Sequence, residues 1–212
     1  MSKNYRISMS VIRRLPRYYR FLSELDEQQV ERISSTKLAA IMNVTASQVR
    51  QDLNCFGGFG QQGYGYSVKQ LKEEIKGILG LNNHYQAILI GAGNFGSALA
   101  NHLDFQKLGF KLIACFDGDP EKTGQALGAL TIRAESELEE FCGSSRVDTA
   151  ILCIPKYAVE SELDRLYALG IRSFWNFSHY DITRRYNDAI VENVHLSDML
   201  MTLCYKMNNL HS

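Results

Sequence analysis

The sequence predicts an α/β protein in which a small, mostly helical domain precedes a parallel sheet covered by helices. Two patterns indicate this. In the first 80 residues, apolar side chains recur at helical spacing, whereas from residue 86 onward short apolar runs alternate with helical segments, as in βαβ units. A length of 212 residues with 45% hydrophobic side chains suits one large domain or two small ones and excludes wholesale disorder.

The zero net charge conceals an asymmetry between the two parts of the chain. Residues 1–85 hold 12 Lys or Arg against 7 Asp or Glu, a net charge of +5, and residues 86–212 have a net charge of −5. A run of basic residues precedes the first acidic residue, Glu24: Lys3, Arg6, Arg13, Arg14, Arg17 and Arg20. Such a cluster suits a polyanion, although a solvated helix face would show the same pattern.

The apolar runs, the N-terminus and the cysteines indicate the cellular compartment of the protein. No apolar run approaches the roughly 20 residues that cross a bilayer, and the N-terminus lacks the apolar stretch of a signal peptide. The five cysteines form no CxxC pair. We expect them to be reduced and mostly buried, with a thiol sensor as the alternative. The chain is therefore expected to be cytoplasmic, with no membrane partner.

The N-terminal segment predicts an amphipathic helix. Val11, Leu15, Tyr18, Leu22 and Leu25 follow one another at spacings of four, three, four and three residues, which is the helical rhythm. The proline at position 16 is tolerated only in the first turns of such a helix.

Residues 33–55 predict two short helices joined by a tight turn. A serine at position 34 or 35 can cap the first helix, and Asn43 can end it in the left-handed conformation. Thr45 can cap the second helix, whose buried face is Val49 and Leu53. The exposed face is small at its start and rich in groups that bond base edges or phosphates, as a recognition helix requires: Ala46, Ser47, Gln48, Arg50 and Gln51.

The stretch CFGGFGQQGYGYSV predicts a β-hairpin of the kind called a wing. Its glycines disfavour a helix and let the backbone approach a phosphate or enter a minor groove. A flexible linker is the alternative, but linkers are seldom so aromatic. A helix over residues 67–81 then leads into the second domain. Without the wing and the basic arm, a three-helix packing module would explain the same helices.

The second domain begins with a dinucleotide-binding pattern. The apolar strand QAILI, residues 86–90, runs into Gly91-Ala92-Gly93-Asn94-Phe95-Gly96 and then a helix. Gly91 would make the tight turn, Gly93 would let the backbone approach a pyrophosphate, and Gly96 would let the helix pack on the strand. Free N–H groups at the helix N-terminus would hold the phosphate charge. A purely structural glycine turn is the alternative.

The next strand, residues 110–116, ends at an acid. Asp117 stands 21 residues beyond Gly96, where a carboxylate can bond the adenosine ribose hydroxyls. Because an acid there disfavours a 2′-phosphate, the sequence predicts NAD(H) rather than NADP(H). A surface aspartate without a ligand would give the same pattern.

The rest of the domain continues the alternation. Strands over 129–132, 149–154 and 173–176 and helices over 135–142 and 156–169 predict a parallel sheet. Ile154-Pro155 and Phe177-Ser178-His179 would lie at its carboxyl edge, where ligands bind in such folds.

Two absences argue against an enzyme. Only residues 177–212 follow the last predicted strand, which leaves no second domain to hold a substrate beside a nicotinamide. No proton-relay dyad and no metal-ligand spacing is evident. We therefore expect no catalytic residue and no metal site.

The C-terminal segment predicts one more amphipathic helix. Its apolar face must cover either its own sheet or that of a partner: Leu196, Met199, Leu200, Leu203, Cys204 and Met207. A palindromic operator would demand two DNA-binding heads, which favours a dimer.

Taken together, ISSTKLAAIMNVTASQVRQDLNCFGGFGQQGYGY, IGAGNFG, FDGDPEKTG and NVHLSDML resemble the Rex family of redox-sensing transcriptional repressors from end to end. The resemblance implies an N-terminal winged helix-turn-helix DNA-binding domain, residues 1–81, and a C-terminal Rossmann NAD(H)-binding domain with a doubly wound parallel sheet, residues 82–194. Residues 195–212 would form a domain-swapped dimerisation helix. The homodimer would bind double-stranded operator DNA and be released when NADH replaces NAD⁺.

The motifs and the resemblance together give two sets of candidate residues. The cofactor-binding set is Gly91, Ala92, Gly93, Asn94, Phe95, Gly96, Asp117, Gly118, Lys122, Ile154 and Pro155. The DNA-binding set is Arg13, Arg14, Arg17, Lys37, Thr45, Ser47, Gln48, Arg50, Gln51, Gln61, Gln62 and Tyr64. The competing functions are a small NAD-dependent oxidoreductase and a CoA- or nucleotide-binding scaffold.

The chain departs from the family pattern at five positions. Relatives often carry Lys where Gln51 stands and basic residues at the wing positions 61 and 62, all neutral amides here. Glutamine favours adenine edges, whereas lysine favours guanine, so the operator sequence is expected to differ. His102 and His195 stand where some relatives have the Tyr and Asp that link the domains to an arginine, which corresponds to Arg20.

The expected switch is a population shift. NAD⁺ and NADH differ only at the nicotinamide, so discrimination must arise there. The neutral dihydronicotinamide can be buried in an apolar cleft, formed by Phe95 and Ile154, more cheaply than the cationic oxidised ring.

Overall fold

The computed structural model describes residues 7–57, 60–61 and 64–210, in two compact units, Met1–Asn83 and His84–Ser212. Within the described residues, every helix is too short or too polar to cross a membrane.

In its described residues, the first unit contains five helices and a three-stranded antiparallel sheet. The helices are α1 (Met9–Ile12), α2 (Leu15–Glu27), α3 (Ser35–Met42), α4 (Ala46–Asn54) and α5 (Val68–Ile78), and the strands are β1 (Arg32–Ile33), β2 (Gly60–Gln61) and β3 (Gly65–Ser67), in the order β1-β3-β2. β2 and β3 form the predicted hairpin, with Gly60 opposite Tyr66. The predicted winged helix-turn-helix architecture is confirmed.

Local sequence sets the helix boundaries of this unit. Pro16 lies in the first turn of α2, where its missing N–H costs no hydrogen bond, and the predicted N-terminal helix is divided just before it, between α1 and α2. The side chains of Ser34 and Thr45 accept hydrogen bonds from backbone N–H groups in the first turns of α3 and α4. Asn43 ends α3 in the left-handed conformation, with φ of 51°. These predicted caps are confirmed.

The second unit is a seven-stranded sheet covered on both faces. Its strands are β4 (Tyr85–Ile90), β5 (Phe110–Asp117), β6 (Ala126–Leu127), β7 (Leu130–Ala134), β8 (Thr149–Leu152), β9 (Ser173–Asn176) and β10 (Ile190–Asn193), in the order β10-β9-β8-β4-β5-β7-β6. All neighbours pair in parallel except β6 and β7, which pair antiparallel. The predicted doubly wound parallel sheet is confirmed.

The helices of this unit are α6 (Asn94–His102), α7 (Leu138–Ser144), α8 (Lys156–Ala168), α9 (Ile182–Arg185) and α10 (Leu196–Asn208). Alternate residues of β4 enter two separate cores, since Ala87 and Leu89 pack with α6 while Ile88 and Ile90 pack with α7, α8 and α9. The short helix α6 and the segment around Phe105 therefore cover part of one face of the sheet.

Four short elements, β1, β6, α9 and β10, are not predicted from the sequence. β6 is two residues long, and all but one residue of β10 are exposed, so neither has the apolar run that indicates a buried strand. The predicted helix over 135–142 begins instead with a 3₁₀ turn, Glu135–Glu137. α6 begins at Asn94, so the last glycine of the motif, Gly96, already lies in the helix.

The C-terminal helix α10 does not cover its own sheet. None of its residues is buried, and Met199 is 78% exposed. On the α6 face, β8, β9 and β10 line an apolar groove of about 330 Å³ with Phe105, Ile151, Trp175 and Ile190 on its walls. The unit thus leaves one apolar helix and one apolar groove uncovered.

Candidate functional sites

The predicted recognition helix α4 is anchored by a buried carboxylate. The Asp52 side chain is 1% exposed, and Arg14 donates to its two oxygens from Nε and Nη2, each at 2.7 Å. The Tyr18 hydroxyl donates at 3.1 Å and Gln48 Nε2 at 2.8 Å. Asp52 therefore accepts four hydrogen bonds, two from Arg14 before α2, one from Tyr18 in α2 and one from Gln48 in α4.

These contacts fix the charge state of the cluster. Burial by itself would raise the pKa of Asp52, but the hydrogen bonds from Arg14, Gln48 and Tyr18 outweigh it and lower the pKa below its ordinary value. Burial and the Asp52 charge raise the pKa of Tyr18, so its hydroxyl remains a donor. The carboxylate is thus ionised at neutral pH and holds α4 against α2.

Most of the predicted DNA-binding side chains are exposed. This group comprises Arg13, Arg17, Lys37, Thr45, Ser47, Arg50, Gln51 and Tyr64. Arg50 Nη1 donates to Ser35 Oγ at 3.1 Å, which brings the middle of α4 beside the start of α3. Arg14 and Gln48 are half-buried and already have Asp52 as an internal partner. The contacts of all these residues with DNA stay predictions.

The exposed wing is supported from β1. Arg32 Nε donates to the carbonyl oxygen of Tyr64 at 3.0 Å, and its guanidinium lies 5.9 Å from the centre of the Tyr64 ring, which is 71% exposed. Sequence reasoning missed this role of Arg32, because the two residues are 32 positions apart. Gln62 lies outside the described residues, as does the side chain of Gln61.

In the second unit, the glycine motif makes a turn that only small residues allow. Gly91 has φ of +94°, and a Cβ there would lie 2.7 Å from the Cys153 carbonyl oxygen. A Cβ on Gly96 would lie 2.0 Å from the Gly91 carbonyl oxygen. At Gly93, which precedes α6, a Cβ would meet nothing within 4 Å. The turn therefore packs tightly on its inner side and leaves open space before the helix N-terminus, where an anion fits.

The predicted ribose-binding acid follows the neighbouring strand. Asp117 ends β5, and its side chain is 10% exposed. Its Oδ1 accepts from the backbone N–H of Asp119 at 2.9 Å, and its Oδ2 accepts from Lys122 Nζ at 3.2 Å. Lys122 thus orients the carboxylate, and a ribose hydroxyl is the kind of donor that such a group accepts.

An aromatic row lies at the same edge of the sheet. The Phe95 ring is 43% exposed and 4.9 Å from the Phe177 ring, which lies 4.7 Å from the Trp175 ring. Ile154 also approaches the turn, since its Cγ2 lies 2.7 Å from the position of a Cβ on Gly91. Phe177 and Trp175 pack with the core that contains Leu89, whereas Ile154 packs with the core that contains Ile90, so the apolar cleft of Phe95 and Ile154 stays a prediction. The alternation of Trp175 and Phe177 along the strand end was the available signal for the aromatic row.

The cysteines are less buried than the sequence suggested. Only Cys115 is fully buried, whereas Cys55 and Cys204 are exposed. Burial raises the pKa of both Cys115 and Cys153 to about 12, which disfavours the reactive thiolate at these two positions. Among residues 7–57, 60–61 and 64–210, no three His, Cys, Asp or Glu side chains are grouped so as to hold a metal ion.

Both parts of the chain match known families. Residues 6–54 match the family described as putative DNA-binding protein N-terminus, and residues 82–180 match the family described as CoA binding domain. A curated redox-sensing transcriptional repressor Rex from Thermoanaerobacter pseudethanolicus is 50% identical over 208 residues, which cover 98% of this chain and 92% of the relative. The Rex of Clostridium beijerinckii is 46% identical over the full length of both chains.

Solved structures are similar over nearly the same length. The crystal structure of RSP in complex with beta-NAD+ and operator DNA has a TM-score of 0.89 and 48% identity, covering 97% of this chain and 94% of that one. The structure of RSP in complex with beta-NADH has a TM-score of 0.89 and 45% identity, covering 97% and 96%. The resemblance to the Rex family that the sequence motifs indicate is confirmed.

The anchoring carboxylate gives a first prediction. Replacing Asp52 with Asn should destabilise the N-terminal unit by about 2 to 3 kcal/mol, because Arg14 loses a charge-assisted, partly buried partner. Urea unfolding of the variant measures this. Asp26→Asn, which breaks the more exposed ion pair with Lys72 in the same unit, is the matched control and should cost less than about 1 kcal/mol. Equal losses in the two variants would contradict the anchoring role.

Proposed function

The chain belongs to the Rex family of redox-sensing transcriptional repressors, and from this premise we propose that it binds operator DNA through its N-terminal unit and leaves the operator when NADH binds its C-terminal unit. One observation carries the proposal: a relative 48% identical over 97% of this chain has been crystallised with both beta-NAD+ and operator DNA. The cytoplasm, where bacterial operators lie, is the compartment that this partner implies.

On the DNA side, α4 would enter the major groove. Its exposed Ser47, Arg50 and Gln51 would contact bases and phosphates, while Arg13 after α1 and Arg17 in the first turn of α2 would contact phosphates. Gln51 would favour an adenine edge. In this arrangement Asp52 sets the angle at which α4 is presented and does not touch DNA itself.

On the nucleotide side, the open N-terminus of α6 would receive the pyrophosphate. The space before Gly93 and the free N–H groups of the first helical turn supply neutral donors for it. Asp117, oriented by Lys122, would accept from the ribose hydroxyls. A 2′-phosphate would meet this carboxylate, so NAD(H) is favoured over NADP(H).

The redox signal would be read by the aromatic row. A neutral dihydronicotinamide loses little on burial against Phe95, Phe177 and Ile154, whereas the cationic ring of NAD⁺ must give up hydration. A ligand shifts a conformational equilibrium only by its difference in affinity for the two states, and a shift from 1:99 to 99:1 requires about 5.5 kcal/mol. We infer that this difference arises at the nicotinamide end, since the rest of the two cofactors is identical.

A homodimer would cover the two apolar surfaces that the second unit leaves open. We propose that α10 is exchanged between subunits, because it buries no side chain in its own chain and an apolar groove lies open along β8 to β10. Two heads would then be held at the spacing of two operator half-sites.

The proposed function is tested by operator release. In a gel shift with a promoter fragment, NADH should dissociate the complex at concentrations at which NAD⁺ does not. The competing function, a small NAD-dependent oxidoreductase, is tested by following the absorbance of NADH in the presence of candidate substrates. An oxidoreductase would change this absorbance as it turns over its substrate. DNA binding that ignores the NADH to NAD⁺ ratio would refute the sensor, and no DNA binding would favour the nucleotide-binding scaffold.

Two variants should separate the two activities. Arg50→Ala should weaken operator binding by roughly 1 to 3 kcal/mol, the range for a base contact, and leave NADH affinity unchanged. Asp117→Ala should weaken NADH binding and the response to NADH and leave operator binding intact. Gel shifts and NADH titrations of both proteins check this. Loss of both activities in either variant would indicate a wrong site or a folding defect.

The exposed face of α10 gives a prediction about assembly. Met199→Glu introduces a charge at a position that is 78% exposed in the single chain. Exchange of α10 between subunits would bury this position. We expect the dimer to dissociate in light scattering coupled to size exclusion, and operator affinity to fall at equal protomer concentration. Tyr157→Glu, an 88% exposed position on α8, is the control and should remain dimeric. A dimeric Met199→Glu protein would contradict the exchange.

A further inference from the structure

Two histidines meet where the last helix leaves the sheet. His179 lies in the turn after β9, and His195 is the residue before α10. Their Nδ1 atoms lie 2.8 Å apart while the ring centres lie 4.8 Å apart, so the two nitrogens are the atoms in contact. Such a hydrogen bond needs an N–H on one ring and a lone pair on the other. We call these two residues the histidine pair.

A buried amide fixes the turn that carries His179. Asn176 is 1% exposed, and its Nδ2 donates to the Tyr180 carbonyl oxygen at 2.8 Å and to Asn193 Oδ1 at 2.7 Å. Its Oδ1 accepts from the Ser178 N–H at 3.1 Å and from Ser178 Oγ at 2.5 Å. His179 has φ of 61°, a left-handed conformation that residues with a Cβ rarely adopt. The turn is thus tied to β9 and β10, and it presents His179 from a defined backbone position.

The second histidine stands where the chain leaves the sheet. The Val194 N–H donates to the Asn176 carbonyl oxygen at 2.9 Å, which continues the ladder between β9 and β10 up to the residue before His195. Beyond His195, no residue of α10 is buried. Within the described residues, the side chains of α10 form hydrogen bonds only inside the helix, from Ser197 and Thr202 to Asp198. The histidine pair is therefore the last side-chain hydrogen bond that joins this part of the chain to the sheet.

The hydrogen bond of the pair survives one added proton and not two. Two neutral rings form it when one carries its proton on Nδ1 and the other on Nε2. A single imidazolium donates from Nδ1 to the neutral ring, and such a charge-assisted bond is stronger. When both rings are imidazolium, neither Nδ1 has a lone pair and the two charges repel. The contact is hence present at neutral pH and lost as the pH falls and the second proton binds.

No acid in contact with the rings neutralises this second charge. In the turn, Asp181 is paired with Arg184, whose Nε lies 2.8 Å from its Oδ2. Asp198 in the first turn of α10 and Glu192 on β10 are exposed to solvent. In the part of the chain that the structure describes, neither imidazole forms an ion pair with a carboxylate, and the hydrogen bond recorded for each ring is the one to the other.

We propose that the histidine pair sets the direction of α10 and that protonation of both rings releases the helix. The inference rests on the proposed function, in which α10 is exchanged between subunits. With the pair intact, each chain already directs its helix for exchange, so dimer formation needs less ordering. With both rings protonated, the helix turns freely about its first residue, and only a fraction of the chains is competent to exchange. Mildly acid pH therefore weakens the dimer and, through it, operator binding.

The test follows dissociation of the full-length dimer by analytical ultracentrifugation at pH 7.5 and pH 5, the range in which histidine takes up its proton. If released chains direct α10 correctly about a third of the time, the dimer dissociation constant rises about tenfold at the lower pH, because both chains must be competent at once. Heteronuclear NMR of the imidazole rings reads the pair directly. One Nδ1 should carry a proton at pH 7.5, and both should carry one at pH 5.

Three variants separate the pair from other titrating groups. His179→Asn keeps a residue that tolerates the left-handed conformation, and His195→Asn keeps a good residue for the start of a helix. Neither can form a pair of imidazolium ions, so their dissociation constants should be nearly the same at the two pH values. His84→Asn is the matched control, because His84 is an exposed histidine with φ of 50° in the same unit, outside the pair. It should keep the wild-type pH dependence.

The inference is overturned if the wild-type dissociation constant does not change with pH, or if His179→Asn and His195→Asn keep the wild-type dependence. A proton on both Nδ1 atoms at pH 7.5 would also overturn it. Operator release by NADH, measured at pH 7.5 alone, remains the separate test of the proposed function, so either idea can fail without the other.

Discussion

The nucleotide-binding half of this protein depends on one close contact between two backbones. α6 can start against the end of β4 because Gly96 has no Cβ to strike the Gly91 carbonyl oxygen, which would lie 2.0 Å away. That contact aims the positive end of the helix at the carboxyl edge of the sheet. Because the strands are parallel, Asp117, Ile154 and Phe177, which end or follow β5, β8 and β9, lie at the same edge as the helix N-terminus.

Two buried acids show how surroundings decide the charge of a carboxyl group. Asp52 is met by four donors from Arg14, Tyr18 and Gln48, and the anion is the favoured form. Glu162 is also buried, but within the described residues its second oxygen receives no donor, and burial raises its pKa to about 7. The first arrangement holds the predicted recognition helix in place. The second gives a group that gains or loses a proton in the physiological range.

In a single chain, the second unit leaves apolar surface exposed to solvent. α6 covers only part of its face of the sheet, and the C-terminal helix exposes Met199 and Leu200 to solvent. An apolar helix and an apolar groove in the same unit favour pairing with a second copy over a stable monomer.

The sequence by itself determined the elements and their order. Helical spacing, the caps at Ser34, Asn43 and Thr45, and the glycine motif act through neighbours a few residues away, so each leaves a local pattern that can be read along the chain. The same is true of Asp117, whose distance from the glycine motif is set by one helix and one strand. Elements without such a pattern, the two-residue β6 and the exposed β10, were missed.

Only the tertiary structure decided which charged groups meet. Arg14, assigned from sequence to DNA, lies 38 residues from its partner Asp52, and Arg165 lies 26 residues from its partner Glu139. Nothing local marks either pair, because the contacts depend on how separate elements pack and on the exclusion of water between them. Burial converts an ordinary acid into an anchor or a proton-binding group, and burial is a property of the folded chain alone.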